Sequence, residues 1–291
     1  MQHAAPTRYS RQKSQRWGKT GRTMSLYILL LGLAVIFAGP FFWLFTIALK
    51  TPADMVTFPV EIFPPQPLWS DFVTALTSIN FVAYAGNSLI ISSIYGVLVT
   101  FSSALVGFGF ARLKGPGKKG LFLVMLSTIM LPNIVTLIPT YILFSHLNMI
   151  DTFWPWVLWG LASAPFLVFL FRQFFSTIPV ELEEAAILDG CGYGRIFLLI
   201  FLPLSLPVIV TAFLIAFTGV WGDYITPALL LNQDHTTLAV ALSTGYVDAH
   251  GLALPNVQAA GTLFYIIPEI LVFIVAQRYF VRGIVTSGLK G

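Results

Sequence analysis

Six stretches of this chain are each long and apolar enough to cross a bilayer: residues 24–49, 84–111, 120–145, 152–171, 196–222 and 260–277. About 20 mostly apolar helical residues span a hydrocarbon core, where every main-chain donor must be satisfied within the segment. The runs therefore predict an all-α integral membrane protein with six transmembrane helices. Composition agrees: 57% of the residues are hydrophobic and 10% charged, where soluble domains carry about a quarter charged residues.

The charges set the orientation. Arg8, Arg11, Lys13, Arg16, Lys19 and Arg22 precede the first run, and Arg112, Lys114, Lys118 and Lys119 separate the second from the third. Arg172 and Arg195 lie between the fourth and fifth, and Arg278, Arg282 and Lys290 follow the sixth. Fifteen of the sixteen basic residues thus fall on one side, and only Lys50 on the other. Basic residues stay cytoplasmic, so both termini and the loop between the fourth and fifth runs are expected there. This anchoring accounts for the net charge of +4, and no nucleic-acid partner is expected. The first run, 26 residues, is too long for a signal-peptide core.

Residues 1–23 read as a basic cytoplasmic tail, frayed through residue 22, and 24–291 as the transmembrane domain. Residues 51–83 are proline-rich and read as an extended outer loop. The segment 115–120 has the letters of a dinucleotide fingerprint, but it joins two spans and follows no strand. No Walker A sequence occurs, so any ATP is expected in another subunit. Cys191 is the single cysteine, read as a reduced, space-filling thiol. The four histidines form no i, i+4 pair, and no metal site is expected. Residues 236–246 read as a short interfacial helix, followed by an exposed loop to Pro255.

Four of the twelve acidic residues, Glu181, Glu183, Glu184 and Asp189, sit in one cytoplasmic loop. Pro179 suits a helix start and Gly190 a helix stop, and the acids favour the positive end of that helix. Leu182, Ala185 and Ala186 fall at helical spacing, small enough on one side for close approach by another surface. Pro203 and Pro207 should kink the fifth span near its inner end.

Glu184-Ala185-Ala186, three residues, Gly190, nine residues, Ile200, one residue and Leu202-Pro203 form the signature of permease subunits of binding-protein-dependent ABC importers. The chain resembles that family's carbohydrate branch, in particular the smaller permease subunit of maltose-type importers. Asn87-Ser88, Trp221-Gly-Asp-Tyr224, residues 277–283 and Lys290-Gly291 support the likeness. The resemblance implies a coupling helix between helices 4 and 5 that docks in a cleft of an ATP-binding subunit. There Glu184 would face a basic group, with Ala185, Ala186, Asp189 and Gly190 at the contact. It implies as partners a second homologous permease, two ATP-binding subunits holding ATP and Mg, and an extracytoplasmic solute-binding protein, in a bacterial or archaeal cytoplasmic membrane. No cofactor is expected on this chain, which is read as a transport subunit and not an enzyme. The loop Asp248, Ala249, His250, Gly251, Leu252, Ala253 and Leu254 would reach the binding protein.

Polar residues within the spans are nearly all neutral, which suits a polyhydroxylated solute. Asn87, Asn133, Tyr141 and Glu269 are candidates for the translocation path. Glu269 is the one acid well inside a span, which reads equally as functional or as an interhelical contact. A non-sugar solute such as a glycerol-phosphate or polyamine, a secondary carrier and a membrane-embedded enzyme are the other readings. The carrier lacks intramembrane charges, the enzyme lacks convergent reactive groups, and an anionic solute lacks basic residues in the outer half.

Overall fold

The computed structural model describes residues 8–287. In chain order its α-helices are α1 Arg8–Ala48, α2 Ser70–Thr77, α3 Phe81–Arg112, α4 Lys118–Ser127 and α5 Asn133–His146. Then come α6 Trp154–Leu161, α7 Pro165–Thr177, α8 Val180–Leu188, α9 Tyr193–Ile196 and α10 Leu202–Leu204. The last four are α11 Leu206–Trp221, α12 Ile225–Leu230, α13 Leu238–Thr244 and α14 Pro255–Ser287. A 3-10 turn, Thr128–Met130, follows α4, and a π turn, Phe197–Phe201, separates α9 from α10.

Among the described residues, four helical stretches are long and apolar enough to cross a membrane: Thr23–Ala48, Phe81–Arg112, Trp154–Thr177 and Pro255–Tyr279. Two bent pairs raise the number to six if each counts as one span. The run expected to be the third span is a pair of helices, Lys118–Met130 and Ile134–His146, that meet at 100°. Proline forces the residue before it into extended backbone, and Leu131, ahead of Pro132, has ψ 119°. The run expected to be the fifth is a second such pair, Tyr193–Leu204 and Leu206–Trp221, that meet at 82°. Pro203 and Pro207 flank that break, where a kink is expected, and the π turn just before it enlarges the turn.

Helix α3 is the axis of the bundle, packing against α6, α7 and α11. Lipid offers no hydrophobic drive between helices, so close approach at small residues does the work. At Gly107 an added Cβ would lie 2.7 Å from Phe171 Cβ and 3.1 Å from the Val168 carbonyl oxygen. At Gly160 it would lie 2.7 Å from Leu98 Cβ. The break between α6 and α7 is stitched to the same helix: Ser103 Oγ accepts the Ala164 N–H at 3.0 Å, and Ser102 Oγ donates to the Gly160 carbonyl at 2.7 Å.

Two expectations about the ends are corrected. Helix α1 begins at Arg8, so the expected frayed tail is helical from there through Arg22; residues 1–7 and Lys290-Gly291 lie outside the described residues. It runs unbroken through residue 23 because helix-tolerant residues lead into the apolar run without a proline. Its apolar stretch is exposed along its length until residues 44–48 meet α14 and α2. The proline-rich 51–83 loop contains α2, whose Asp71 and Ala75 are buried. Lys50 is buried, donates Nζ to the Glu61 carbonyl at 2.5 Å and lies 5.1 Å from the Trp43 ring centroid.

Candidate docking loop and translocation path

Helix α8 ends as its sequence suggests. Gly190 has φ +81°, the left-handed conformation that glycine adopts at least cost. Gly190 N–H bonds the Ile187 carbonyl at 2.9 Å and Cys191 N–H the Ala186 carbonyl at 2.9 Å. This double closure is a Schellman motif. Around the helix, Glu183 and Ala186 are buried, while Glu184, Ala185 and Asp189 are exposed. Leu188 is 88% exposed, although it is a large apolar side chain on a short helix with charged neighbours. The expected common face of Leu182, Ala185 and Ala186 is therefore divided. Ala186 packs into this chain's own core beside Ile178 and Ile196, because the Schellman turn rolls it inward, and the free face is Glu184, Ala185, Leu188 and Asp189.

Arg112, the last residue of α3, fixes that roll. Its guanidinium donates to the Phe175 carbonyl at 2.6 Å and to the Ile178 carbonyl, at the end of α7. It also lies 3.7 Å from the Glu183 carboxylate and 5.0 Å from the Phe201 ring centroid. Phe201 packs on Phe108 at 4.9 Å and Phe175 at 5.5 Å. Sequence reasoning counted Arg112 only as a topological charge; its position at the last turn of a span, with acids concentrated in one loop on that side, was the available signal.

The other end of the bundle lies one α3 length away, about 48 Å for its 32 residues at 1.5 Å per residue. There Asn87 Nδ2 donates to the Thr236 carbonyl at 3.1 Å, and Ser88 Oγ accepts the Leu238 N–H at 2.8 Å. Asn87, expected on the translocation path, thus braces the entry to α13. The loop after α13 is compact. Asp248 Oδ1 accepts the N–H groups of His250 and Leu252, both at 2.8 Å, and Val247 bridges Ala253. Gly251 supplies φ +79° at the tip, leaving Ala249, His250, Gly251, Leu252 and Ala253 exposed. Leu254 is half-buried beneath them, its N–H bonded to the Tyr246 carbonyl at 2.9 Å.

A cavity of about 450 Å³ opens between α3, α5, α6, α7 and α11. Its aromatic lining is Tyr95, Trp156, Trp159 and Phe166; its polar lining includes Thr136, Thr140, Asp223 and Thr226. No lysine or arginine contributes. Of the expected path residues, Tyr141 and Glu269 do not line it, and the side chain of Asn133 lies outside the described residues. Thr140, which does, precedes Tyr141 on α5; Glu269 is half-buried on α14, one turn beyond Tyr265. The indole and phenol rings were missed because aromatic residues in a span read as packing or interfacial anchors. Among the described residues no three His, Cys, Asp or Glu side chains gather as a metal site.

These features define a polytopic helical membrane protein whose short helix α8 leaves an exposed, partly acidic face at one end of the bundle. Residues 96–286 match the family model described as "Binding-protein-dependent transport system inner membrane component". The chain belongs to this family, and it is a permease subunit of a binding-protein-dependent ABC importer. It is 31% identical to a probable ABC transporter permease protein, YurM of Bacillus subtilis (strain 168), over 97% of this chain and 93% of that one. The sn-glycerol-3-phosphate transport system permease protein UgpE of Agrobacterium fabrum is 31% identical, over 91% and 96% of the two chains. The arabinooligosaccharides transport system permease protein AraQ of Halalkalibacterium halodurans is 32% identical over 79% and 82%. In fold, the chain resembles one from the crystal structure of a bacterial ABC transporter involved in the import of the acidic polysaccharide alginate. The TM-score is 0.73 at 20% identity, covering 96% of this chain and 100% of the other.

Proposed function

We propose that this chain forms half of the translocation path for a neutral sugar or oligosaccharide, paired with a second homologous permease and two ATP-binding subunits that hold ATP and Mg. In this reading the two bent pairs are spans, giving six, and both termini lie in the cytoplasm. Helix α8 is the coupling helix: Glu184, Ala185, Asp189 and Gly190 meet the ATPase, with Leu188 filling an apolar recess in it. The 248–254 loop meets the solute-binding protein on the other side. The observation that carries the solute class is the cavity lining, with aromatic faces, threonine hydroxyls and one carboxylate and no cation. Sugars stack their C–H faces on aromatic rings and hydrogen-bond through hydroxyls, whereas a phosphate demands arginine, lysine or a helix terminus. Although relatives include glycerol-phosphate permeases, Asp223 would repel such a solute.

The test is uptake by the assembled complex in liposomes, with binding protein outside and Mg-ATP inside. Labelled arabinotriose and maltotriose represent neutral sugars, and glycerol-3-phosphate the anionic alternative. Uptake of a neutral sugar, absent from liposomes holding this chain alone, is expected. Uptake of glycerol-3-phosphate and of neither sugar would overturn the solute class. Deleting 248–254 should lower binding-protein-stimulated ATP hydrolysis without preventing assembly; equal stimulation would leave the loop a connector.

A further inference from the structure

We infer that Arg112 is a positioning residue that makes the angle of α8 depend on the packing of the span ends, with Glu183 as its lever on the docking helix. The inference rests on the importer reading above. Four elements converge on one guanidinium: α3 carries it, the end of α7 accepts two of its hydrogen bonds, α8 presents Glu183, and the π turn presents the Phe201 ring. The Arg112 and Glu183 side chains are only 10% and 9% exposed. A charge so buried is costly to leave unpaired, so rotation of α8 away from α7 must carry Arg112 off its two α7 carbonyls or strand the Glu183 carboxylate. Moving Arg112 in turn disturbs Phe201, one residue before Leu202-Pro203 and the 82° break in the fifth span. Packed aromatic clusters switch between arrangements more readily than they deform.

The adjacent acids thus divide the work. Glu184 is exposed and available to a partner; Glu183 is buried and reads the state of its own chain. A strut that only held the loop in place would need no charge. The apolar cluster around Phe108, Phe175, Ile178, Ala186 and Phe201 already anchors it.

The experiment compares basal and binding-protein-stimulated hydrolysis of Mg-ATP by the complete complex in nanodiscs, with the amount of assembled complex quantified. Glu183→Gln keeps shape and leaves the hydrogen bonds from Arg112 to α7 in place, so it should assemble normally. Its stimulation ratio should fall roughly two- to thirty-fold, the range that coupling residues command, and Glu183→Asp should restore much of it. Arg112→Lys should lose the ratio as well, because an ammonium cannot serve the α7 carbonyls and Glu183 in one planar fork. If Arg112 variants fail to assemble, the Glu183 pair decides. A merely structural role would lower basal and stimulated rates together, leaving the ratio unchanged, and that result in Glu183→Gln overturns the inference while the wild type remains stimulated. A wild-type complex with no stimulation at all would instead overturn the importer reading, and this inference with it.

Discussion

The two ends of α3 are held by different chemistry. At the α8 end, one buried arginine, one buried glutamate and a knot of phenylalanines fix α8. At the far end the ties are spread over several separate hydrogen bonds. Asn87 and Ser88 bond the main chain of Thr236 and Leu238, Tyr246 donates to the Ala75 carbonyl at 2.6 Å, and Asn256 donates to Asp71 at 2.6 Å. Breaking a buried ion pair costs about 3–5 kcal/mol, whereas a neutral hydrogen bond contributes about 0.5–1.5 kcal/mol. The far end is therefore a mesh of several smaller terms. The α8 end concentrates its energy in one node and leaves Glu184, Leu188 and Asp189 facing outward.

The largest expected effect tests how rigid each end is. An added Cβ at Gly107 meets Phe171 Cβ at 2.7 Å and two main-chain atoms at 3.1 and 3.2 Å, none of which can swing aside. At Gly261 it meets the Tyr246 hydroxyl at 2.6 Å and a Leu242 methyl at 2.8 Å, both ends of side chains. Gly107→Ala should destabilise the assembled protein by about 1–3 kcal/mol or more, and Gly261→Ala by distinctly less. Thermal unfolding of the two variants in detergent is the measurement; equal losses would erase the contrast between a stiff node and a yielding mesh.

Next comes the exposed face of α8. Glu184→Lys should repel the basic group expected on the ATPase. Gly190→Val places a β-branched residue at φ +81°, which costs about 1–2 kcal/mol besides adding bulk where nothing in this chain lies within 4 Å. Both should cut transport and coupled ATP hydrolysis severalfold while membrane insertion, read by fractionation, stays normal. Unchanged transport in both would remove the docking assignment.

Much of this organisation was legible in the sequence, and the reasons differ between the ends. Apolar run length gave the four long apolar helices, and Gly190, four residues beyond Ala186, gave the end of α8, because both are local properties of the chain. The 100° break at Pro132 was equally local, but a proline in an apolar run reads as tolerated until the fold shows what lies beside it. Contacts between distant residues were not legible. Nothing in the sequence pairs Arg112 with Glu183, or turns Asn87 from a path candidate into a brace for Thr236. The cavity was hidden for the same reason, since Tyr95, Trp156 and Thr140 converge only once α3, α5 and α6 are packed.

A smaller effect sharpens the account of the far end. Ser88 is buried, and its hydroxyl is the acceptor for the first N–H of α13. Ser88→Ala leaves that N–H unsatisfied in a buried setting, a loss of about 1–3 kcal/mol. Hydrogen exchange at residues 236–240 should rise, while exchange across α8 stays as in the wild type. Equal change at both regions would mean that the ends are not separately held.

The smallest effect concerns pH and the loop between α5 and α6. Asp151 accepts bonds from the Asn232 N–H at 3.1 Å and Nδ2 at 2.5 Å, and lies 3.0 Å from His235 Nδ1. Burial pushes its carboxyl up, but the Asn232 and His235 hydrogen bonds and the His235 charge together outweigh it and hold the group below its ordinary 3.8. A carboxylate whose folded pKa is depressed stabilises the fold fully above its unfolded value and loses that contribution as pH falls through the folded one. From pH 8 to pH 5 the titration of Asp151 should therefore cost the loop nothing, and the loss should begin below about pH 4. The pair is partly exposed, so screening holds its worth below about 1 kcal/mol. Asp151→Asn should barely move Tm at pH 7 and should flatten part of the acid decline, with exchange at residues 231–236 as the local probe. An acid decline identical in variant and wild type would assign it to other carboxylates, of which Asp71, held by Asn256 at 2.6 Å, is the buried one at the same end.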